Sequence, residues 1–135
     1  MPNRLGHIGA SLTLSLFFPP DVTLIAALLS LSPDTDLVLG LKHREYTHNV
    51  AFASLVAAVA LVLFGRTVAI ASFAAVLLHI LLDLTTKQKF PALFPLSRKR
   101  YGLRLFRSNS TLLNSSLLVV GVLVFVWGNG YAVHT

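Results

Sequence analysis

Five long stretches of this chain contain no aspartate, glutamate, lysine or arginine. They cover residues 5–20, 22–33, 46–65, 67–82 and 108–135. A soluble domain of 135 residues has too little interior to bury that much continuous apolar sequence. Charged residues make up 12% of the chain, about half the share that is usual in soluble domains. The sequence therefore predicts an integral membrane protein, in which residues 1–135 form a single membrane-embedded domain.

Three of these stretches predict transmembrane helices, at residues 49–64, 67–84 and 111–127. Gly65 provides a tight turn between the first two helices. The third helix ends at Trp127, a residue suited to the membrane interface. After Trp127 the sequence predicts a short polar tail.

Two shorter apolar segments precede these helices, at residues 5–18 and 22–32, and Pro19-Pro20-Asp21 separates them. Because the prolines break a helix, the segments form either a hairpin that returns to its starting side or one kinked span with Asp21 near its middle. A lone carboxylate in the middle of a membrane is costly, which favours the hairpin. The predicted fold is therefore all-α: a small polytopic integral membrane protein with an N-terminal helical hairpin and three transmembrane helices.

Positive charge is distributed unevenly between the predicted loops. Arg66 lies in the loop between the first two transmembrane helices, whereas the loops 33–48 and 84–110 together carry nine lysines and arginines. The positive-inside rule places those two basic loops in the cytoplasm. We therefore expect a multi-pass protein of the cell (inner or plasma) membrane.

The longer basic loop contains a segment, residues 97–107, that mixes cations with apolar and aromatic side chains. Anionic lipid head groups are its expected partners, since each cation at such a surface contributes about 1 kcal/mol. A compatible alternative is that some of these arginines draw a phosphate group toward a site. Nucleic acid is not an expected partner, because the net charge of +6 has no nucleic-acid-binding motif behind it. The lipid-contacting cations are Arg98, Lys99, Arg100, Arg104 and Arg107.

The chain has no cysteine, which excludes disulfide scaffolds, thiolate nucleophiles and cysteine zinc sites. Most of its acids and histidines instead gather at one side of the predicted helices. The helices 49–64 and 67–84 are antiparallel, so the start of one and the end of the other share a membrane face. The hairpin topology brings two further segments to that face. The residues that meet there are His7, Asp34, Asp36, His43, His48, His79 and Asp83.

The spacing of these residues suits a metal. His79 and Asp83 are four residues apart and share a helix face, and Asp34 and Asp36 are two apart in a turn. Imidazole and carboxylate ligands together fit Zn²⁺, Mn²⁺ or Fe²⁺ better than Ca²⁺ or Mg²⁺, and we expect one or two ions, Zn²⁺ or Mn²⁺ first. Taken singly, His79 and Asp83 are also explained as a buried polar pair, and Asp34 and Asp36 as helix caps.

The order of these motifs resembles the YdjM-like family of small inner-membrane proteins, described as LexA-regulated, membrane-bound, metal-dependent hydrolases. The family pattern is an N-terminal histidine, a PDxD motif, an HRxxTHS-type box and an HxxxD motif, followed by a proline-rich segment. Asn49 stands where the family commonly has serine. The matching stretches here are His7, Pro33-Asp34-Thr35-Asp36, His43-Arg44-Glu45-Tyr46-Thr47-His48-Asn49, His79-Ile80-Leu81-Leu82-Asp83 and Phe94-Pro95-Leu96-Ser97.

The resemblance implies a membrane-bound hydrolase, and we expect it to act on a phosphoester or lipid-linked substrate at the cytoplasmic face. Arg44 would stabilise charge on the phosphoryl oxygens, and His43 would act as general acid or base. Thr47 would support the same site. The metal ligands that the resemblance implies are His7, Asp34, Asp36, His48, His79 and Asp83.

Two other functions would use the same residues. A metal-binding or transport protein would hold an ion without hydrolytic turnover. A structural membrane protein would use the polar cluster only to tie its helices together. Transport is disfavoured because the candidate site lies at one membrane face and its polar residues do not continue across the predicted spans.

Overall fold

The computed structural model describes residues 4–40, 46–85, 89–103, 105 and 111–134. Within these residues the fold is all-α, as predicted, and a single isolated bridge between Phe90 and Tyr101 is the only strand-like pairing. Two short 3-10 turns, at Thr13–Leu16 and Ser32–Asp34, accompany the helices. The helices are α1 (Arg4–Leu12), α2 (Pro20–Leu29), α3 (Thr35–Val38), α4 (Val50–Phe64), α5 (Arg66–Leu84) and α6 (Thr111–His134).

Local sequence signals explain where the helices begin and end. Pro20 is the first residue of α2, where its missing N–H costs nothing, and Asp21 in the first turn complements the helix dipole. The side-chain oxygen of Asn49 caps α4 by accepting the N–H of Phe52 at 2.9 Å. Gly65, at a φ of +93°, joins α4 to α5. The predicted break between the N-terminal segments and the predicted tight turn are confirmed.

α5 is the central helix of the bundle. It packs against α1, α2 and α4. Half of its apolar span is buried inside the protein, whereas 11% of the apolar span of α6 is buried. Small side chains line the contacts with α2 and α4, so the helix backbones approach closely. Buried residues of α2, α4 and α5 form one apolar cluster, which consists of Val22, Ala26, Ala60, Val68, Ala69, Ala71 and Ala75.

α6 packs against α1 and the 3-10 turn that follows it, and presents apolar side chains outward elsewhere. Leu112 is 80% exposed and Val126 is 61% exposed, which suits contact with lipid. The predicted polar tail after Trp127 is helical, because α6 continues through it to His134, whereas the apolar part of the helix ends at Gly128. Glycine costs an established helix only about 1 kcal/mol, so the glycines beyond Trp127 do not end it.

Two helices among the described residues are long and apolar enough to cross a membrane: α5 and the Thr111–Gly128 part of α6. α4 has 15 residues. At 1.5 Å per residue it is about 22 Å long, shorter than the membrane core of about 30 Å. The three transmembrane helices and the N-terminal hairpin stay predictions. Asp21 is exposed on the surface of the chain, which both alternatives for residues 5–32 allow.

Glycines let α1 and α6 approach closely. A methyl group added at Gly9 would clash with the backbone of Leu117 and Leu118, and one added at Gly121 would clash with the backbone of Gly9. A larger residue at either position would therefore push the two helices apart. α1 also carries His7, so this contact affects a predicted site residue.

Gly121→Ala is expected to lower the stability of the protein, with Gly128→Ala as the matched control. Overpacking at position 121 costs about 1–3 kcal/mol. A methyl at Gly128 would lie 3.4 Å from its nearest neighbour, the Ser15 carbonyl oxygen, and alanine favours a helix, so that variant should be neutral or stabilised. Scanning fluorimetry in detergent measures both Tm values. Equal Tm values would contradict the close contact of α1 with α6.

Candidate metal centre

Four buried polar side chains converge at the end of the α4–α5 pair opposite Gly65. Asp34 ends a 3-10 turn, His48 lies just before α4, and His79 and Asp83 lie on α5. The most exposed of the four, Asp34, is only 2% exposed. One ligand atom from each residue lies within 4.8 Å of the ligand atoms of the other three.

The distances within this four-residue cluster are short. Nε2 of His48 lies 2.9 Å from Oδ2 of Asp83 and 3.3 Å from Nε2 of His79. Nε2 of His79 is 3.3 Å from the same oxygen of Asp83. Oδ1 of Asp34 is 3.6 Å from each of the two imidazole nitrogens. Two nitrogens and two oxygens thus face one another across a space the size of a single ion.

These separations fit a tetrahedral metal ion. When metal–ligand bonds are about 2.0–2.2 Å long, two ligands of a tetrahedral ion are about 3.3–3.6 Å apart. The five nitrogen–oxygen and nitrogen–nitrogen separations given above run from 2.9 to 3.6 Å, and all four ligand atoms lie within 4.8 Å of one another. Two imidazoles with two carboxylates suit Zn²⁺ or Mn²⁺, whereas Ca²⁺ takes oxygen ligands. The residues present therefore fit one divalent ion, and the structure does not distinguish between metals.

The surroundings of the Asp34 carboxylate are a second indication that the cluster binds a cation. Neither of its buried carboxylate oxygens has a hydrogen-bond partner among the described residues. Burial alone would raise the pKa of this carboxyl, but the neighbouring imidazoles of His48 and His79 outweigh burial and bring the pKa below its ordinary value. Asp34 is therefore an anion at neutral pH. The two imidazole nitrogens are 3.6 Å from this carboxylate, too far for good hydrogen bonds, so a bound cation would stabilise the buried anion further.

Neighbouring side chains orient the imidazole of His48. Its Nδ1 lies 3.1 Å from the hydroxyl oxygen of Thr47, which leaves Nε2 facing the other ligands. The ring of Phe90 packs edge-on against it, with the ring centroids 5.7 Å apart. Such contacts fix the orientation of metal-binding imidazoles. The resemblance implies a supporting role for Thr47, whereas no sequence pattern indicates Phe90, a single aromatic residue in a loop.

His7 lies beside the cluster. Its ring stacks on that of His79, with centroids 3.6 Å apart and planes 11° from parallel. Its Nε2 is 3.3 Å from Oδ1 of Asp83, the carboxylate oxygen that does not face the two imidazoles of the cluster. The structure thus brings His7 against two cluster residues, His79 and Asp83, and its role as a metal ligand stays a prediction.

Three other predicted site residues are not placed in the cluster. His43 and Arg44 lie outside the described residues. Asp36 is described only as part of the backbone of α3, two residues after Asp34. Their predicted roles stay predictions.

The family pattern seen in the motifs extends over nearly the whole chain. The family model described as YdjM inner membrane protein matches residues 4–135. The chain belongs to the YdjM inner membrane protein family. The resemblance is therefore confirmed, and the family together with the apolar helices α5 and α6 identifies this YdjM protein as a membrane protein. No curated protein and no solved structure matches it.

In this YdjM protein, Asp34→Asn removes a ligand charge and keeps the size of the side chain. We expect Zn²⁺ to raise the Tm of the wild type, since a ligand at 100 times its Kd stabilises the folded state by about 2.7 kcal/mol. The shift should disappear in Asp34→Asn and persist in Asp21→Asn, because Asp21 is exposed on α2. Scanning fluorimetry with Zn²⁺ and with EDTA measures the shift. Equal shifts in the two variants would show that Asp34 does not bind the metal.

Proposed function

We propose that this YdjM protein is a metal-dependent hydrolase of phosphoesters, with lipid or lipid-linked substrates. The observation that carries the proposal is the convergence of Asp34, His48, His79 and Asp83 to within 4.8 Å in a buried cluster. Two carboxylates and two imidazoles are a ligand set suited to hydrolytic metal ions. A centre in a membrane protein also meets lipid esters at high local concentration.

The ion would be Zn²⁺ or Mn²⁺, held by the four cluster residues. When bound, it supplies a Lewis acid that polarises a phosphoryl oxygen and increases the acidity of water. The chain's own residues keep the ligands in place: Thr47 orients His48, and the packing of α4 on α5 sets the separation of His48 from His79. The sequence also predicts His7 and Asp36 as ligands; Asp36 stays the candidate for a further ligand, and the contact of His7 with Asp83 favours a different role.

We assign His7 the role of orienting Asp83 by holding its second carboxylate oxygen. His7→Phe keeps an aromatic ring next to His79 and removes the ring nitrogen. Loss of such an orienting group typically weakens metal affinity about 10–100-fold. We expect the variant to bind one metal at saturation with a higher Kd, measured by titration with elemental analysis. Failure to bind metal at saturation would instead make His7 a ligand.

Two proposed catalytic roles are inferred from the sequence alone, for Arg44 and His43. Arg44 would stabilise negative charge on the phosphoryl oxygens, and His43 would act as general acid or base. They precede His48 by four and five residues, so the chain between them is short enough to bring both to the same end of α4.

We place the metal centre at the cytoplasmic face. The cluster lies at the end of the α4–α5 pair away from Gly65, and the basic segment follows α5 at that same end. The chain has no cysteine, so single-cysteine variants report topology cleanly. An impermeant maleimide should label Thr67→Cys in intact cells and should not label Ser97→Cys. The reverse pattern would place the centre outside.

Phosphate release by the purified, metal-loaded protein tests the proposed reaction. Phosphatidic acid and p-nitrophenyl phosphate are suitable substrates for a first screen. We expect turnover to fall about 100-fold or more in His48→Ala, because it removes a metal ligand, and to persist in Asp21→Asn.

Each competing function predicts a different result. Stoichiometric metal without turnover, together with ion flux into vesicles, would support metal handling. Well-folded wild-type protein that holds no metal after supplementation would support a structural role for the cluster.

A further inference from the structure

A cavity of about 400 Å³ lies between the start of α4 and the segment of residues 89–103. Its volume is within the range of small-molecule binding sites. None of its lining residues belongs to the four-residue cluster. The cavity is lined by Tyr46, Asn49, Pro91, Phe94, Arg98 and Arg100.

Two of the lining residues are neighbours in sequence of residues in or beside the metal centre. Asn49 directly follows the ligand His48. Pro91 directly follows Phe90, whose ring packs against the imidazole of His48. A molecule in the cavity would therefore contact Asn49 and Pro91, each one position along the chain from a residue that forms or supports the centre.

Backbone hydrogen bonds hold the two walls together. The N–H of Val50 donates to the carbonyl of Ala92 at 3.0 Å, and the N–H of Ala51 donates to the carbonyl of Phe94 at 3.1 Å. The first turn of α4 is thus attached to the loop that carries the arginines. A cavity with fixed walls loses little conformational freedom when it binds a ligand.

Arg98 and Arg100 line the cavity, and none of the described residues that line it is acidic. Nη2 of Arg100 donates to the carbonyl of Lys89 at 3.3 Å, which anchors one end of its guanidinium. Lys99 lies between the two arginines in sequence but does not line the cavity. Its Nζ lies 5.9 Å from the ring centroid of Tyr101 instead. Arg98 and Arg100 therefore line the cavity, whereas Lys99 of the same segment does not.

The ligand chemistry follows from these side chains and from their surroundings. Guanidinium groups pair with phosphate oxygens through two parallel hydrogen bonds, which a lysine cannot match. Leucines on the same segment are strongly exposed, Leu96 to 83% and Leu103 to 65%, which suits a lipid surface rather than water. A phosphate group attached to an apolar chain satisfies both features.

We propose that this cavity binds the phosphate group of a lipid phosphoester beside the metal centre, with Arg98 and Arg100 as its cationic contacts. The inference rests on the proposed phosphoester hydrolysis and identifies the subsite that holds the substrate. It separates these two arginines from Lys99, whose charge contributes only to general attraction toward an anionic membrane.

Calorimetric titration of the detergent-purified full chain in EDTA tests the subsite without turnover. The probes are dihexanoyl phosphatidic acid, sn-glycerol 3-phosphate and dihexanoylglycerol, which separate the phosphate from the chains. We expect Arg98→Gln to weaken binding of the phosphatidic acid about tenfold, and Lys99→Gln, a matched loss of one charge, to change it less than about twofold. Arg98→Lys should fall between them.

Each outcome decides a separate point. Equal weakening by Arg98→Gln and Lys99→Gln, or no binding of phosphatidic acid by the wild type, would overturn the subsite. If glycerol 3-phosphate binds as tightly as phosphatidic acid, the phosphate site is supported, and the phosphate group that it binds belongs to a soluble ester. Tight binding of dihexanoylglycerol would overturn phosphate recognition. Because the titration contains no metal, its failure would leave the metal centre and the hydrolase proposal standing.

Discussion

Burial of the Asp34 and Asp83 carboxylates among apolar helices is the constraint on which this structure depends. A buried charge without compensation costs several kcal/mol, and this bundle offers mostly alanine, valine and leucine around it. The compensation available is the three imidazoles of His7, His48 and His79, with Nε2 of His48 only 2.9 Å from Asp83. Asp34 is less well compensated, since neither of its oxygens has a hydrogen-bond partner among the described residues. A divalent cation would compensate both carboxylates.

The fold brings these groups together by simple means. α5 carries two of them one turn apart, the single-residue turn at Gly65 sets α4 antiparallel to α5, and α2 also packs against α5. His48 then precedes α4 at the end where Asp83 lies. α1 adds His7, and its position depends on the glycine contact with α6. Each part of the bundle therefore contributes to holding one small polar site in an apolar protein.

Much of this site could be predicted from the sequence, for identifiable reasons. His79 and Asp83 share a face because a helix repeats every 3.6 residues, and the antiparallel pairing of the apolar helices brings His48 to the same end. The break at the two prolines and the turn at Gly65 are local signals. The side of Asp83 that His7 contacts could not be predicted, because it depends on how α1 docks against α6. Phe90 and the arginine-lined cavity arise from the folding of a loop, and loops have no periodic pattern in sequence. α6 extends further than its sequence indicates, because its glycines do not stop a helix already formed.

X-ray absorption spectroscopy of the purified protein loaded with one equivalent of Zn²⁺ tests the central claim most directly. We expect a first shell that contains two imidazole nitrogens and two carboxylate oxygens at about 2.0–2.2 Å, together with the water oxygen that the proposed hydrolysis requires. In His48→Ala the imidazole scattering should fall by half or the metal should be lost. A shell of six oxygens, or a wild-type protein that retains no zinc after dialysis, would contradict a metal centre built from Asp34, His48, His79 and Asp83.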